Sequence, residues 1–211
     1  MPKTEPFDAQ PDRYDSWFER NEAAYESELR VLRELLPSGG EGLEIGVGTG
    51  RFAAPLGLEH GVDPSPEMRE RARKRGIAVE EGVGEAALPY PDERFDKVLI
   101  TTTLCYLEDP KKAFQEAYRV LRPGGAFVIG FIDRDHPMGQ RYTESDSAFY
   151  AEAVFHAAPE ILDLLEATGF EQISVRQTLF TDDPGALKTP DPAREGIGKG
   201  GFVAMRGITS A

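Results

Sequence analysis

The segment 42–50 constrains the fold of this chain more than any other, because an apolar run there ends in three alternating glycines. Residues 42–45 have the character of a short buried strand, and Gly46, Gly48 and Gly50 follow it. Glycine lets the backbone turn sharply and leaves no side chain between the peptide and a bound molecule. The segment therefore predicts a strand that ends in a tight turn against a flat ligand such as a nucleoside.

Strand-like and helix-like segments alternate along most of the chain. The strand-like runs lie at 42–46, 61–63, 77–80, 97–100, 126–132, 172–180 and 201–206. The helical segments between them lie at 64–74, 110–121 and 159–168. Such alternation predicts a parallel sheet with helices on both faces. Because no helix separates the last two strands, the sequence predicts an α/β, Rossmann-like fold with a mostly parallel sheet of seven strands whose last strand is antiparallel.

A helical segment precedes the first strand. Apolar and aromatic residues in the segment 14–36 recur at steps of mostly three and four residues, which is helical spacing. The Pro-Ser-Gly-Gly sequence at 37–40 then ends the helix. We therefore predict an N-terminal helical cap in residues 1–40, followed by one α/β domain in residues 41–211.

The charge and the cysteine content limit the partners and the compartment. Asp and Glu number 37 against 24 Lys and Arg, and this formal net charge of −13 disfavours a nucleic-acid partner. Cys105 is the single cysteine, which excludes an internal disulfide and a zinc site of several cysteines. We expect no metal and a reducing, cytoplasmic location. No segment has the ~18 apolar residues of a membrane span, so none is expected.

The spacing of the glycines distinguishes between two kinds of nucleotide ligand. A dinucleotide site uses Gly-x-Gly-x-x-Gly, and the position of its third glycine is occupied here by Arg51. The third glycine of this chain, Gly50, stands one place earlier. A nicotinamide-dependent oxidoreductase is therefore the less favoured alternative.

Four motifs, in order along the chain, resemble those of class I S-adenosylmethionine-dependent methyltransferases, in particular the ubiquinone/menaquinone-biosynthesis-like methyltransferase-domain family. They are Glu44-Ile45-Gly46-Val47-Gly48-Thr49-Gly50, Gly61-Val62-Asp63-Pro64-Ser65-Pro66-Glu67-Met68, Leu88-Pro89-Tyr90-Pro91-Asp92-Glu93-Arg94-Phe95-Asp96 and Tyr118-Arg119-Val120-Leu121-Arg122-Pro123-Gly124-Gly125. The flanks match only in general character. The resemblance implies that residues 41–211 form a methyltransferase domain whose cofactor is S-adenosylmethionine.

The resemblance also implies where the cofactor binds on the glycine turn. Gly46, Gly48 and Gly50 are expected against its methionine and ribose parts. Glu44 is expected near its charged end.

Ribose and adenine contacts are expected after the second and third strands. The resemblance assigns the ribose to Asp63 and places Pro64, the next residue, at the cofactor as well. One carboxylate can accept from two vicinal hydroxyls. A helix-capping role for Asp63 is the alternative. The family commonly has Gly-Asp-Ala after its third strand, whereas this chain has Gly82-Val83-Gly84-Glu85. Either the Glu85 side chain or the backbone of Gly84 and Glu85 is then expected to hold the adenine.

The remaining candidates carry weaker signals. Thr101, Thr102 and Thr103 follow the fourth strand, where one of them, with Thr101 the candidate, either touches the cofactor or is simply a β-branched strand residue. Residues 133–158 are predicted to be a polar surface excursion, which faces the methyl acceptor in many related enzymes. His136 within it is the candidate general base, although a lone loop histidine is usually solvated.

Other titratable side chains are weaker candidates still. His60 and His156 have less support than His136. Cys105 is predicted to be a small buried residue rather than a nucleophile.

The predicted reaction is in-line transfer of a methyl group from S-adenosylmethionine to a small-molecule acceptor. A module that binds S-adenosylmethionine without transferring its methyl group is the alternative. The aromatic stripe of Tyr14, Trp17, Phe18 and Tyr25 fits either plain core packing or, by resemblance, a lid over the cofactor. No motif identifies the acceptor or the oligomeric state.

Overall fold

An eight-stranded sheet crosses the part of the chain that the computed structural model describes, residues 4–210. The strands are β1 Gly42–Ile45, β2 His60–Asp63, β3 Ala78–Glu81, β4 Phe95–Thr101, β5 Leu121–Ile132, β6 Glu171–Thr178, β7 Arg194–Glu195 and β8 Phe202–Ile208. Their order in the sheet is β3-β2-β1-β4-β5-β8-β6-β7. Strands β1 to β5 pair in parallel, whereas β8 runs antiparallel between β5 and β6. The predicted mostly parallel α/β sheet with an antiparallel last strand is therefore confirmed.

The eighth strand, β7, was not predicted. It is two residues long and pairs antiparallel with β6 at the edge of the sheet, with Glu195 opposite Arg176 and Arg194 opposite Gln177. Two residues are too short to show any periodicity, and they lie in a loop rich in proline and glycine. The difference from the predicted seven strands is therefore a minor extension of the edge.

Helices cover both faces of the sheet, as predicted. They are α1 Glu5–Ala9, α2 Pro11–Arg20, α3 Glu22–Leu35, α4 Ala53–Leu56, α5 Pro66–Lys74, α6 Pro110–Val120, α7 Pro137–Thr143 and α8 Ala158–Ala167. On one face, α6 and α8 bury Phe114 and Ile161 against the sheet. On the other face, Phe18 of α2 and Leu32 of α3 belong to the same buried cluster as Phe202 of β8.

The predicted single helix at 14–36 is two helices. At Asn21 the backbone leaves helical geometry, and both the backbone amide and the side-chain amide of this residue donate to the carbonyl of Trp17. An asparagine favours such local hydrogen bonds over a continuous helix. As a result α3 packs on the sheet, while α1 and α2 contribute residues to a cavity beside it.

The segment 133–158 is not the polar surface excursion that was predicted. It contains the helix α7, and its aromatic rings pack together: the centroids of Tyr142 and Tyr150 are 4.8 Å apart, and those of Tyr150 and Phe155 are 5.9 Å apart. The polar residues at its start concealed this aromatic cluster. Among the helices of residues 4–210, none combines the length and apolar character that a membrane span requires.

Candidate active site

A cavity of about 360 Å³ lies at the carboxyl ends of the parallel strands. In open α/β sheets this edge is where ligands bind, because the loops that leave neighbouring strands diverge there. Six of the residues predicted to bind the cofactor line the cavity: Gly46, Gly48, Asp63, Pro64, Gly84 and Glu85. The structure thus brings together residues that the sequence separates by up to about forty positions.

The glycine turn after β1 has the backbone geometry that the sequence predicted. Gly46, Gly48 and Gly50 have φ angles of 72°, 52° and 81°. Residues with a side chain rarely adopt such positive φ angles, whereas glycine does so readily. A side chain at Gly46 would collide with Thr103, whereas one at Gly48 would enter the cavity and meet the Tyr14 hydroxyl at 3.4 Å. Gly46 is therefore needed for packing, and Gly48 keeps the cavity open.

Asp63 ends β2 with its carboxylate held at the edge of the cavity. Its Oδ2 accepts a hydrogen bond from the Gly48 amide at 2.8 Å, and its Oδ1 accepts one from the Ser65 amide at 2.9 Å. The residue is 7% exposed, and burial raises its pKa to about 6 although both amides oppose this. The cap of α5 is Ser65, whose Oγ accepts from the Met68 amide at 3.1 Å. The helix-capping alternative for Asp63 is therefore wrong.

Three predicted cofactor residues lie outside the cavity wall. The Glu44 side chain is 1% exposed behind the glycine turn, and burial raises its pKa well above the usual range. Gly50 packs against Ala72 of α5. Thr101 is buried in β4 with its Oγ1 directed toward Gly130 of β5, because side chains alternate along a strand. These residues shape the turn and the sheet from behind.

The two threonines after Thr101 and the loop after β3 line the cavity instead. Thr102 and Thr103 line the cavity, and the Thr103 hydroxyl donates to the Gly46 carbonyl at 3.0 Å. Glu85 lines it as well, but its Oε1 accepts from the Glu108 amide at 3.2 Å, which anchors this loop to the one after β4. Gly84 packs closely against Ile45, since a Cβ at this position would lie 3.0 Å from the Ile45 Cγ2. The adenine role of these two residues remains a prediction.

The predicted general base, His136, does not line the cavity. Its Nδ1 accepts from the Met138 amide at 3.1 Å, so it caps α7, and its ring packs against Gly201. This correction has a simple cause: His136 precedes Pro137 at the start of a helix that was not predicted. His156 lines the cavity instead, with a buried Nε2 that has no hydrogen-bond partner among residues 4–210. Burial lowers the pKa of His156.

Helix α2 is fastened to the glycine turn through Asp15. Its Oδ1 accepts from the Thr49 hydroxyl at 2.7 Å and from Arg51 Nε at 3.0 Å, and its Oδ2 accepts from Arg75 Nη2 at 2.8 Å. These partners hold the pKa of Asp15 below its usual range although burial opposes them. Asp8 of α1 adds a second link by accepting from the Ser65 hydroxyl at 2.5 Å. The two helices thereby bring Phe7, Tyr14 and Trp17 over the cavity.

The part of the cavity away from the glycine turn is aromatic and contains one buried carboxyl group. Its wall includes Trp17, Tyr106, Tyr142, Tyr150 and Phe155, together with Cys105 and His156. Glu28 of α3 is 2% exposed, and its Oε2 has no hydrogen-bond partner in the described part of the chain. Burial raises the pKa of Glu28 to about 8. Sequence reasoning missed Glu28, since one glutamate in an amphipathic helix gives no local signal.

Comparison with known proteins identifies the family. A family model described as a methyltransferase domain matches residues 43–129. A crystal structure from Thermotoga maritima, described as a S-adenosylmethionine-dependent methyltransferase and possible histamine N-methyltransferase, is 44% identical, with a TM-score of 0.93 over 98% of this chain and 100% of that one. An uncharacterized protein of Methanocaldococcus jannaschii is 47% identical over 201 residues, which are 94% of this chain and 96% of its own length. The chain belongs to the class I S-adenosylmethionine-dependent methyltransferases.

This methyltransferase has a site whose chemistry fits the cofactor of its family. Gly48 leaves space where a side chain would fill the cavity, and Asp63 offers a carboxylate beside it. Among residues 4–210 no cluster of three or more His, Cys, Asp or Glu side chains is arranged to hold a metal ion.

Proposed function

We propose that the enzyme transfers a methyl group from S-adenosylmethionine to a small-molecule acceptor by in-line displacement. The observation that carries this proposal is the division of one cavity into two chemically different halves. We call the part around Gly46, Gly48 and Asp63 the sheet half, and the part around Glu28, Tyr142 and Tyr150 the aromatic half. A polar half for a nucleoside beside an apolar half for a second molecule is the arrangement that a two-substrate transfer requires.

The sheet half is proposed to hold the cofactor. Asp63 would accept from the ribose hydroxyls while its existing bonds to backbone amides keep its carboxylate in place. Gly46 and Gly48 would present main-chain atoms to the methionine part, and Gly84 and Glu85 would hold the adenine. S-adenosylmethionine supplies a methyl group on a sulfonium, which a lone pair of the acceptor displaces along the line of the carbon–sulfur bond.

The residues of the enzyme contribute by alignment and by excluding water. Phe7, Tyr14 and Trp17 cover the cavity. By excluding water from it, they favour a methyl transfer that needs few charged catalytic groups. His156, rather than His136, is the histidine within reach of an acceptor. Burial lowers its pKa and so favours the neutral ring, in which Nε2 either accepts or donates a hydrogen bond.

The N-terminal cap, residues 1–40, is proposed to act as a lid. Its helices α1 and α2 are joined to the rest of the enzyme by the polar contacts of Asp8 and Asp15 and by the ring contacts of Phe7 with Tyr106 and of Phe18 with Phe52. Polar contacts of this kind exchange readily with water, so opening the lid would let the cofactor enter. The single cysteine further supports a reducing compartment such as the cytoplasm.

Calorimetric titration of the full chain with S-adenosylmethionine and S-adenosylhomocysteine tests the proposal. We expect both ligands to bind at one site and to compete with each other, and both to raise the melting temperature. Turnover with methyl-labelled S-adenosylmethionine and a panel of small acceptors then separates an enzyme from a binding module. Failure of both ligands to bind would overturn the assignment of the cavity.

A further inference from the structure

The aromatic half of the cavity contains a carboxyl group that the fold does not satisfy. Glu28 is 2% exposed, its Oε2 has no hydrogen-bond partner, and it belongs to none of the ion pairs found within residues 4–210. Leaving a buried carboxyl group unpaired is costly, so natural proteins retain one mainly where a ligand completes it. The fold of residues 4–210 therefore gives this carboxyl oxygen no partner, as expected of a group that a ligand completes.

The surroundings of Glu28 suit a cation. The rings of Tyr142, Tyr150 and Phe155 form one cluster, with centroids 4.8 to 6.3 Å apart, and they line the same cavity. The faces of aromatic rings attract organic cations, and a carboxylate at the same place adds a full charge. A neutral acceptor would gain only a hydrogen bond from the carboxyl group, whereas a cation would also gain the attraction between opposite charges.

The basic side chains at this cavity do not compete for Glu28. Arg13 lies at the rim, where its guanidinium stacks on the Phe149 ring at 5.7 Å and donates to the Gln10 side chain. Arg20 is exposed at the same rim. Burial lowers the pKa of His156 although Glu160 opposes this, which favours the neutral form of the ring. The formal net charge of −13 also draws cations rather than anions toward the enzyme.

We infer that the methyl acceptor is a small organic amine with an apolar body, and that Glu28 binds its ammonium group. The inference rests on the proposed function of methyl transfer. The ammonium first passes a proton to the Glu28 carboxylate, which frees the lone pair on nitrogen. That lone pair forms the bond to the methyl carbon while the carbon–sulfur bond breaks and its electrons stay on sulfur. The products are S-adenosylhomocysteine, the methylated ammonium and the proton held by Glu28, and release of that proton to solvent restores the carboxylate, so atoms and charge balance.

Binding to the S-adenosylhomocysteine complex of the full chain tests this inference. The probes are phenethylamine, tryptamine and histamine, each compared with the alcohol of the same skeleton by calorimetry. We expect at least one amine to bind and its alcohol analogue to bind at least about 10-fold more weakly, because only the amine pairs with the carboxylate. Absence of amine binding, or equal binding of the alcohols, would overturn the inference.

Glu28→Gln keeps the shape of the side chain and removes its charge, and Glu26→Gln is the matched control because Glu26 lies exposed on the same helix. We expect Glu28→Gln to weaken amine binding and to raise KM for the amine by about 10–100-fold, with Glu26→Gln unchanged. Equal affinity for the amine in all three proteins contradicts the inference. Affinity for S-adenosylhomocysteine should stay unaltered in every variant. If the unaltered enzyme did not bind S-adenosylhomocysteine at all, the proposed function itself would instead be refuted.

Discussion

The two halves of the cavity differ in how the chain builds them. The sheet half is made of backbone turns that directly follow β1, β2, β3 and β4. Each of these turns is therefore a short continuous stretch of the sequence. The aromatic half is made of side chains from α2, α3, the loop after β4 and the segment 142–156, which are brought together only by the fold. A cofactor site fixed by local backbone geometry can therefore be recognised in a sequence. The proposed acceptor site beside it has to be found in the structure, because its side chains come from distant segments.

We expect the largest effect on cofactor binding from a substitution at Gly48 in the sheet half. Gly48→Leu should abolish measurable binding of S-adenosylhomocysteine, since the side chain would enter the cavity beside Tyr14. Gly57→Leu is the matched control, because Gly57 also has a positive φ, 67°, but open space around it. Both substitutions carry backbone strain of about 1 kcal/mol, so they should lower stability alike. Calorimetry decides, and undiminished binding by Gly48→Leu would show that the ligand lies elsewhere.

Asp63→Ala should weaken the binding of S-adenosylhomocysteine by about 1.5–3 kcal/mol, because charge-assisted bonds to the ribose are lost. The loss should be small for a 2′-deoxy analogue, which already lacks one hydroxyl. If both ligands lose the same affinity, the ribose assignment is wrong.

The pH dependence of cofactor binding adds a second readout for Asp63. Its pKa is about 6 in the free enzyme, so the carboxylate that accepts from ribose is lost as the pH falls from 8 to 5. Affinity should therefore decrease toward acid in the unaltered enzyme, and this decrease should be smaller in Asp63→Ala. If the affinity changed with pH in the same way in the two proteins, titration of Asp63 would not be the cause of the pH dependence.

Glu28→Gln should stabilise the free enzyme even as it harms amine binding. The pKa of Glu28 is raised to about 8 in the folded chain from 4.5, so the unfolded chain releases its proton first as the pH rises. Stability is therefore lost between about pH 4.5 and pH 8, and the glutamine variant escapes this loss. We expect a gain in the free energy of unfolding of about 1–3 kcal/mol at pH 8 and little at pH 4.5. Urea unfolding at both pH values measures it, and a gain that does not depend on pH would contradict the assigned burial.

The smallest expected effect concerns the lid, which joins the two halves. Asp15→Asn removes the charge that Arg51 and Arg75 share, and it should weaken S-adenosylhomocysteine binding by about 1 kcal/mol, since the pair is only partly buried. Asp12→Asn is the control on the same helix, because Asp12 is almost fully exposed in its pair with Arg71.

Emission from Trp17 reports on the same lid. We expect a saturable shift on adding S-adenosylhomocysteine, with the midpoint of calorimetric binding, and a smaller shift in Asp15→Asn. Unchanged emission at saturating ligand would indicate that α2 is ordinary core and not a lid.

The same contrast explains how much the sequence predicted. The succession of strands along the chain, the glycine turn and the place of Asp63 follow from local apolar runs and from glycines, which readily adopt the positive φ angles of a tight turn. Thr101 was preferred to its neighbours because alternation of side chains along β4 cannot be phased without knowing where the strand ends. His136 was preferred to His156 because nothing near His156 shows that its loop folds back over the sheet. Glu28 was missed since its burial depends on contacts far along the chain.

A crystal structure of the full chain with S-adenosylhomocysteine tests most directly the division of the cavity into two functional halves. We expect ribose hydroxyls within hydrogen-bond distance of the Asp63 carboxylate, and an aromatic half around Glu28 that the ligand leaves free for the acceptor. A ligand that fills the aromatic half against Glu28, with no contact to Asp63, would contradict it.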